Sequence, residues 1–349
     1  MTILGITCQR DDGPFLAEWI AHHFAAGFDR MLVLSHECSD GSDAHLDALA
    51  QDPRIQHVPF TPKGAKSVQW QALKHIAQHP WYNEADWALF FDCDEFLCAP
   101  KAPLPEMLAK YQSLNGDCDA IALPWRLFGS SGHRHRSDGL TPHRFTQAAP
   151  VDLHFPLAHL FKTLHRPDAF HKPGVHRPRA KPSKPARWIG PDGTALPDAF
   201  AAQDAAISLY GIPRGADHLC LNHYSVRSEE EFLVKRARGL PNHTSREIGI
   251  QYWAERNWNT QKADEIAPML AATATTLAEL MTLPDVAETF AACQNWHSAH
   301  YSTLMQDIET LRLQFRLRLL TGSTPPTAQE GQDFMRAQSD LLQQARQSS

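Results

Sequence analysis

Short apolar runs alternate with helical patterns over the first part of the chain. Four of these runs have the length of buried strands, and they cover residues 3–8, 30–35, 55–60 and 88–91. Between them, apolar residues recur at helical spacing after Pro14 and again over residues 67–78. This alternation predicts an α/β fold with a mostly parallel, Rossmann-like sheet flanked by helices.

The remainder of the chain has a different pattern. A further short strand at 120–123 precedes a predicted long loop at 129–150, and the many prolines and glycines of residues 167–200 predict an irregular excursion. Ser228 and Glu231 form a capping-box pattern for a helix that ends at Gly239. From about residue 262, the chain predicts helices rich in Ala, Leu and Gln. We therefore expect a domain over residues 1–260 and a C-terminal helical extension over residues 261–349.

Composition excludes several classes of protein. The net charge of −6 gives no overall positive field for binding nucleic acid. No apolar run approaches the roughly 20 residues that a membrane-spanning helix needs. The N-terminus lacks the features of a signal peptide, so we expect a cytoplasmic protein. Seven cysteines without a Cys-x-x-Cys pair predict free thiols rather than disulfides or a structural zinc site.

One stretch near the C-terminus is both basic and amphipathic. Residues 311–319 combine leucines and a phenylalanine with Arg312, Arg316 and Arg318. Two roles suit this pattern, which are peripheral contact with the inner face of a membrane and packing of a helix on the core.

Three acids, Asp92, Asp94 and Glu95, directly follow a predicted buried strand. Ligands of α/β proteins bind at the edge where the carboxyl ends of the strands meet. Asp92 and Asp94 can both reach one hard cation, such as Mn²⁺ or Mg²⁺, which prefers oxygen ligands. The alternative is an acidic turn that only ends the strand. Because the chain has neither Gly-x-Gly-x-x-Gly nor a Walker-type sequence, the acidic edge favours a nucleotide diphosphate bridged by a divalent metal.

Five segments resemble, in the same order, the GT-A glycosyltransferases of families 2 and 92. They are residues 15–27, 38–42, 86–97, 125–145 and 222–239, and the third carries Asp-x-Asp-Glu-Phe-Leu from Asp92 to Leu97. The resemblance implies a GT-A-like fold and a metal-dependent, inverting glycosyltransferase of the hexosyltransferase type. It also implies a nucleotide-sugar donor, with UDP as the expected nucleotide, and a glycan or glycolipid acceptor. We expect a role in polysaccharide biosynthesis, because the sequence shows no secretory or anchoring segment.

The same resemblance implies the residues around the metal. Asp94 would be the principal ligand, and Asp92 would contact the ribose or act through the metal. Many GT-A enzymes complete the metal shell with a late histidine, for which His223 is the first choice and His176 the second. The alternative for His223 is a core histidine bonded to backbone, and the alternative for His176 is an ordinary loop residue.

On the nucleotide side, the resemblance implies that Gln9, Arg10 and Asp40 line the nucleotide. The chain departs from the family at residues 36–38, which replace its usual nucleotide-loop opening, and at residues 10–12, so no base contact is assigned to Asp11 or Asp12. Lys235 and Arg238 are candidates for stabilising the leaving diphosphate, and the alternative is that both lie on a solvated helix face.

Transfer to a hydroxyl also requires a base across the sugar from the metal. Asp138 is the candidate, although Asp138-Gly139 is also a common turn pair. Two other functions stay open. One is nucleotidyl transfer, which usually needs a glycine-rich basic loop near the N-terminus, and the other is carbohydrate binding without catalysis on the same fold.

Overall fold

The structure is a computed structural model that describes residues 1–64, 67–116, 118–181, 185–239 and 248–347. Its strands are β1 Ile3–Gln9, β2 Arg30–Ser35, β3 Ile55–Pro59, β4 Trp87–Phe90, β5 Glu95–Cys98, β6 Ala120–Leu127, β7 Gln147–Ala148, β8 Phe161–His165, β9 Phe170–Lys172, β10 Arg179–Ala180, β11 Trp188–Ile189, β12 Cys220–His223 and β13 Gln261–Lys262. Its helices are α1 Gly13–Ala26, α2 Ser42–Leu49, α3 Val68–Gln78, α4 Pro80–Glu84, α5 Leu104–Asn115, α6 Thr141–Arg144, α7 Asp198–Ala201, α8 Glu229–Arg238, α9 Ile250–Ala254, α10 Ala267–Leu280, α11 Val286–Leu304, α12 Ile308–Leu319 and α13 Ala328–Gln347.

The central sheet has the strand order β3-β2-β1-β4-β8-β6-β12-β5, and β11 also pairs with β6. Strands β3, β2, β1 and β4 are parallel, as are β6 and β12. Strand β8 lies between β4 and β6 and is antiparallel to both, and β5 is antiparallel to β12. The predicted mostly parallel sheet with flanking helices is therefore confirmed, and the antiparallel strands β5 and β8 are additions to it.

The irregular regions contain more regular structure than the sequence indicates. The strand predicted at 120–123 continues to Leu127, and the loop predicted at 129–150 contains α6 and β7. The excursion predicted at 167–200 contains β9, β10, β11 and α7, while its residues 182–184 lie outside the described residues.

Helix α1 supports the turn that carries the three acids. Trp19 is fully buried, and its ring lies 4.7 Å from the ring of Phe91, measured between centroids. The indole N–H of Trp19 also donates a hydrogen bond of 2.9 Å to the carbonyl of Glu95. Trp19 thus contacts the turn between β4 and β5 at both of its ends.

Helix α8 begins with the predicted capping box. The hydroxyl of Ser228 accepts a hydrogen bond from the Glu231 N–H at 3.2 Å, and the Ser228 N–H donates to the Glu231 carboxylate at 3.1 Å. Glu231 also forms a buried ion pair of 2.7 Å with Arg144. These contacts fix the start of α8, whose later turns carry Lys235 and Arg238.

The helices predicted after residue 262 are present and pack on the sheet domain. Helix α10 packs along α1, where Thr273 and His22 are hydrogen bonded at 3.1 Å. Helix α11 packs against α1, α2 and α8, and α12 packs against α8 and α9. The domain boundary near residue 260 stays a prediction.

Two general properties hold across the residues that the structure describes. The seven cysteines are free thiols. Over the same ranges, no helix combines the length and the apolar character that crossing a bilayer requires.

Candidate active site

A cavity of about 270 Å³ lies where β1 and β4 end, and it also reaches the end of β12 and the last turns of α8. Eight of the ten residues that the sequence analysis selects line this cavity, and these are Gln9, Arg10, Asp92, Asp94, His176, His223, Lys235 and Arg238. Asp40 and Asp138 do not line it. The site therefore combines residues of β1, near the start of the chain, with residues of β12 and α8.

Asp94 contacts another cavity side chain through each of its two carboxylate oxygens. One carboxylate oxygen, Oδ2, accepts a hydrogen bond of 2.6 Å from the ammonium of Lys235. The other, Oδ1, lies 3.4 Å from Nε2 of His223. Burial raises the pKa of Asp94, but Lys235 and His223 outweigh burial and hold this pKa well below its usual range. Asp94 is therefore an anion at neutral pH.

Asp92 is held by a lysine that the sequence analysis did not select. The ammonium of Lys162, on β8, donates to Oδ2 of Asp92 at 3.1 Å and lies 3.9 Å from Oε1 of Glu95. Gln69 donates to the other oxygen of Asp92 at 3.2 Å. Burial lowers the pKa of Lys162, but Asp92 and Glu95 outweigh burial and raise it, so the side chain stays charged.

The signal that points to Lys162 in the sequence is weak. It sits between Phe161 and Thr163 in a short apolar run, and only the pairing of β8 with β4 and β6 brings it beneath Asp92. The side chain of Lys162 is only 1% exposed, and lysines are rarely buried this fully unless an acid pairs with them.

Replacing Lys162 with Met is expected to lower the free energy of unfolding by about 3 kcal/mol, because a buried ion pair that loses one partner leaves the other charge uncompensated. This is the low end of the usual range, since the side chain of Asp92 is 33% exposed. Urea denaturation measures this loss, and the double variant Lys162→Met/Asp92→Asn is expected to recover part of it. If the effects of the two single substitutions simply add in the double variant, Lys162 and Asp92 are not coupled.

Both cavity histidines are neutral at physiological pH. Burial lowers the pKa of His223 despite the nearby Asp94 charge, and burial lowers the pKa of His176 to about 4. Nδ1 of His176 lies 2.9 Å from the carbonyl oxygen of Phe161. A carbonyl only accepts, so Nδ1 carries the proton and Nε2 keeps its lone pair. Trp125 contacts both rings, at centroid distances of 4.5 Å to His223 and 5.6 Å to His176.

The basic residues of α8 face the cavity rather than bulk solvent. Arg238 pairs with Asp12 at 2.6 Å and also donates to the carbonyl of Arg10. Lys235, besides its contact with Asp94, donates to the carbonyl of Ser225 at 2.8 Å. The side chains of Lys235 and Arg238 are only 14% and 16% exposed, so the alternative of a solvated helix face is wrong for both.

The charge balance of the cavity differs from the acidic edge that the sequence suggests. Five cationic residues and three acids line it, and these are Arg10, Lys162, Lys235, Arg238 and Arg256 against Asp12, Asp92 and Asp94. With the histidines neutral, two positive charges remain in excess. The cavity therefore suits an anionic ligand, and it lies at the strand ends where ligands of α/β proteins bind.

The donor atoms also suit a divalent metal that binds together with phosphate. In octahedral coordination, two adjacent ligand atoms lie about 3 Å apart, close to the 3.4 Å between Oδ1 of Asp94 and Nε2 of His223. Within the described ranges, no three His, Cys, Asp or Glu side chains cluster as a complete metal site. Mg²⁺ commonly takes one or two protein ligands and completes its shell with water and substrate phosphate. Asp94 and His223 fit that pattern.

Asp40 lies in a buried hydrogen-bond network outside the cavity lining. It is 2% exposed, and its carboxylate accepts hydrogen bonds from Gly13 N–H at 2.9 Å, Ser42 N–H at 2.8 Å and Nε2 of His297 at 3.0 Å. These bonds join the loop after β2 to α1 and α11. Asp138 lies exposed in the loop before α6, away from the cavity lining. The roles predicted for both residues stay predictions.

Comparison with known proteins gives one sequence relative. No protein-family model matches the chain. Over 133 residues, the chain is 28% identical to a glycosyltransferase family 92 protein of Ricinus communis. The match covers 37% of the chain and only 23% of that protein's length. The resemblance to glycosyltransferases that the motifs indicate is confirmed by this match.

The similarity to solved structures is low. Residues 1–349 of S. aureus TarS give 12% identity and a TM-score of 0.34, covering 88% of the chain and 92% of that structure. HddC from Yersinia pseudotuberculosis gives 10% identity and a TM-score of 0.25, covering 48% of the chain and 70% of that structure. Scores this low establish no relationship by themselves.

Proposed function

We propose that this chain is a metal-dependent glycosyltransferase that moves a hexosyl group from a nucleotide sugar to a hydroxyl of a glycan or glycolipid. UDP-sugar is the proposed donor, and the proposed displacement inverts the anomeric centre. The observation that carries the proposal is the placement of Asp94 and His223, 3.4 Å apart, in a cation-rich cavity at the strand ends. The family 92 relative supports the same activity.

The cavity residues have distinct proposed roles in such a transfer. Asp94 and His223 would hold Mn²⁺ or Mg²⁺, which supplies Lewis-acid stabilisation of the leaving diphosphate. Lys235 and Arg238 would place further positive charge beside that diphosphate. Asp92, fixed by Lys162, would accept a hydrogen bond from the donor. His176 is the second candidate for the metal shell, since its Nε2 keeps a lone pair within the cavity wall.

The nucleotide side of the proposed site is formed by the end of β1. Gln9 and Arg10 line the cavity, and Gln9 is held by its side-chain contact with the Asp12 N–H at 3.1 Å. Tyr252 and Arg256 line the cavity from α9 and the residues after it, with the Arg256 guanidinium 3.8 Å above the Tyr252 ring. Tyr252 is 7% exposed, so its ring and Arg256 form a packed part of the cavity wall.

A nucleotide-binding screen tests the proposal. We expect UDP with Mn²⁺ to raise the melting temperature, since a ligand at about a hundredfold its dissociation constant stabilises a fold by about 2.7 kcal/mol. Release of UDP from UDP-sugars then reports the reaction itself. Parallel assays with GDP and CDP, with and without Mn²⁺, identify the nucleotide and the metal requirement.

Each outcome of this screen has a clear meaning. Stabilisation by UDP only in the presence of Mn²⁺, together with UDP release, supports the metal-dependent transferase. Stabilisation by GDP or CDP instead changes the donor and keeps the site. If no nucleoside diphosphate changes the melting temperature under either condition, the proposed function is wrong. Carbohydrate binding without catalysis then replaces it as the hypothesis.

A further inference from the structure

Exposed apolar side chains are concentrated in the last two helices. Of the 13 large hydrophobic residues that are exposed in the described part of the chain, seven lie in α12 and α13, and these are Ile308, Leu311, Phe315, Leu319, Phe334, Leu341 and Leu342. A large exposed apolar patch usually marks a surface that contacts a partner or a membrane.

The four exposed residues of α12 form one continuous line, here named the outer stripe. Ile308, Leu311, Phe315 and Leu319 follow one another at intervals of three or four residues, so they share one face of the helix. Their exposed fractions are between 47% and 68%. Because a soluble helix normally keeps such a face against the core, the outer stripe needs a partner.

The opposite face of α12 already has its place in the core. Leu313 and Leu317 are buried in a cluster with Phe232 of α8 and Trp253 of α9. The indole N–H of Trp253 also donates to the carbonyl of Leu320 at 2.9 Å, just after the helix ends. Helix α12 is therefore apolar on two faces and is held rigidly by one of them, with the other presented to solvent.

Basic residues flank the outer stripe. On a helical projection, Arg312 and Arg316 fall on one side of the stripe and Arg318 falls on the other. Arg312 is paired with Glu309 at 2.6 Å, and Nε of Arg318 is paired with Glu229 at 3.0 Å. Helix α12 thus holds three arginines and one acid, in a chain whose net charge is −6.

This charge pattern distinguishes between two partners for the stripe. In a symmetric dimer, the same patch of each copy faces its counterpart, so two surfaces that each carry three arginines and one acid would face each other. An anionic lipid surface offers opposite charge to the arginines and an apolar interior to the stripe. The flanking arginines therefore favour lipid over a second copy of the chain.

We propose that the outer stripe of α12 docks this protein on the surface of an anionic membrane. In such docking, Phe315 and Leu319 enter the boundary between headgroups and acyl chains, while Arg312 and Arg316 contact the headgroups. Helix α12 packs on α9, which contributes Tyr252 to the cavity wall. Docking through α12 would therefore hold the cavity close to the lipid surface.

Vesicle flotation tests the docking without any nucleotide, so its result does not depend on the proposed function. The double variant Phe315→Ser/Leu319→Ser is expected to weaken binding to phosphatidylcholine–phosphatidylglycerol vesicles at least about tenfold relative to the unsubstituted chain. The double variant Arg312→Ser/Arg316→Ser is expected to weaken it as well and to reduce its salt dependence. Leu114→Ser, at another exposed leucine on α5, is the matched control and should bind normally.

Three results would overturn the docking. The first is that the unsubstituted chain fails to float with anionic vesicles. The second is that the stripe variant, Phe315→Ser/Leu319→Ser, binds as well as Leu114→Ser. In the third, light scattering without vesicles would show that the stripe variant converts an oligomer to a monomer, which would assign the stripe to a second copy. Binding equally well to pure phosphatidylcholine would contradict the part assigned to the arginines.

Discussion

Replacing Asp94 with Asn is expected to reduce the rate of UDP release from the donor by about a hundredfold to a thousandfold, the range seen when one electrostatic group of an active site is removed. Asn has nearly the same shape as Asp, but it carries no charge. The substitution therefore removes the anionic ligand that would hold the metal and leaves Lys235 without its 2.6 Å partner. Initial rates of UDP release in the presence of Mn²⁺ measure the effect.

The matched control for this experiment is Asp340→Asn. Asp340 is exposed on α13, far along the sequence from every residue of the cavity, and its substitution should leave the rate unchanged. The Asp94 variant should also lose the stabilisation by UDP that depends on Mn²⁺, although Lys235 and Arg238 stay in place. Retention of more than about a tenth of the rate would show that Asp94 is not the metal ligand and that the cationic side chains carry the reaction.

The two oxygens of Asp94 have different surroundings, which would let one carboxylate bind both Lys235 and the proposed metal. Oδ2 is tightly bound to Lys235 at 2.6 Å, whereas Oδ1 makes only the longer contact of 3.4 Å with His223. The longer contact exceeds normal hydrogen-bond length, so Oδ1 has spare capacity to accept a ligand. Lys235 then keeps Asp94 ionised whether or not a metal is bound.

The acids at the end of β4 were predictable because their signal is local. An apolar strand followed at once by Asp92 and Asp94 places both at a sheet edge regardless of the rest of the fold. Lys162 was not predictable in this way, since it is 70 residues from Asp92 and arrives on the inserted antiparallel strand β8. Pairing between distant strands is set by the whole core and leaves little trace in a short segment.

For Asp40, the local sequence suggests a role, but residues far along the chain determine its surroundings. Its loop resembles a nucleotide-binding segment, yet His297 of α11 approaches it from 257 residues later in the chain. The surroundings of the carboxylate depend on how the C-terminal helices pack, which no local pattern around Asp40 indicates. The same holds for the charge of the cavity, because the cations that outnumber the acids come from β8, α8 and the region of α9.

Acidification is expected to destabilise this fold steeply between pH 6.5 and about 4. Burial lowers the pKa of His22, His45, His159 and His165 from 6.5 to about 4, and the same cause acts on the cavity residue His176. The unfolded chain takes up protons near pH 6.5 while the folded chain excludes them. Stability is therefore retained above pH 6.5 and lost as the pH falls, at about 1.4 kcal/mol per pH unit for each such group.

Two buried acids titrate in the opposite sense, and one of them is Glu95, whose pKa burial raises well above its usual range. Burial raises the pKa of Glu18 from 4.5 to about 7, even though Thr141 donates two hydrogen bonds to its carboxylate. The folded chain holds this proton where the unfolded chain releases it, so Glu18 adds stability as the pH falls from about 7 to 4.5. Two acids offset only about two of the five histidines, and the net change on acidification remains a loss.

Urea denaturation across this pH range measures the loss, and His22→Gln isolates one contribution. His22 is fully buried, with Nε2 contacting the Leu97 carbonyl at 2.8 Å. Its replacement should reduce the slope of unfolding free energy against pH by about 1.4 kcal/mol per unit, the value for one proton. His143→Gln, at an exposed position of α6, is the control and should leave the slope unchanged. A stability that stays flat from pH 6.5 to 4 would mean that the buried imidazoles accept protons within the folded chain, which their apolar and hydrogen-bonded surroundings oppose.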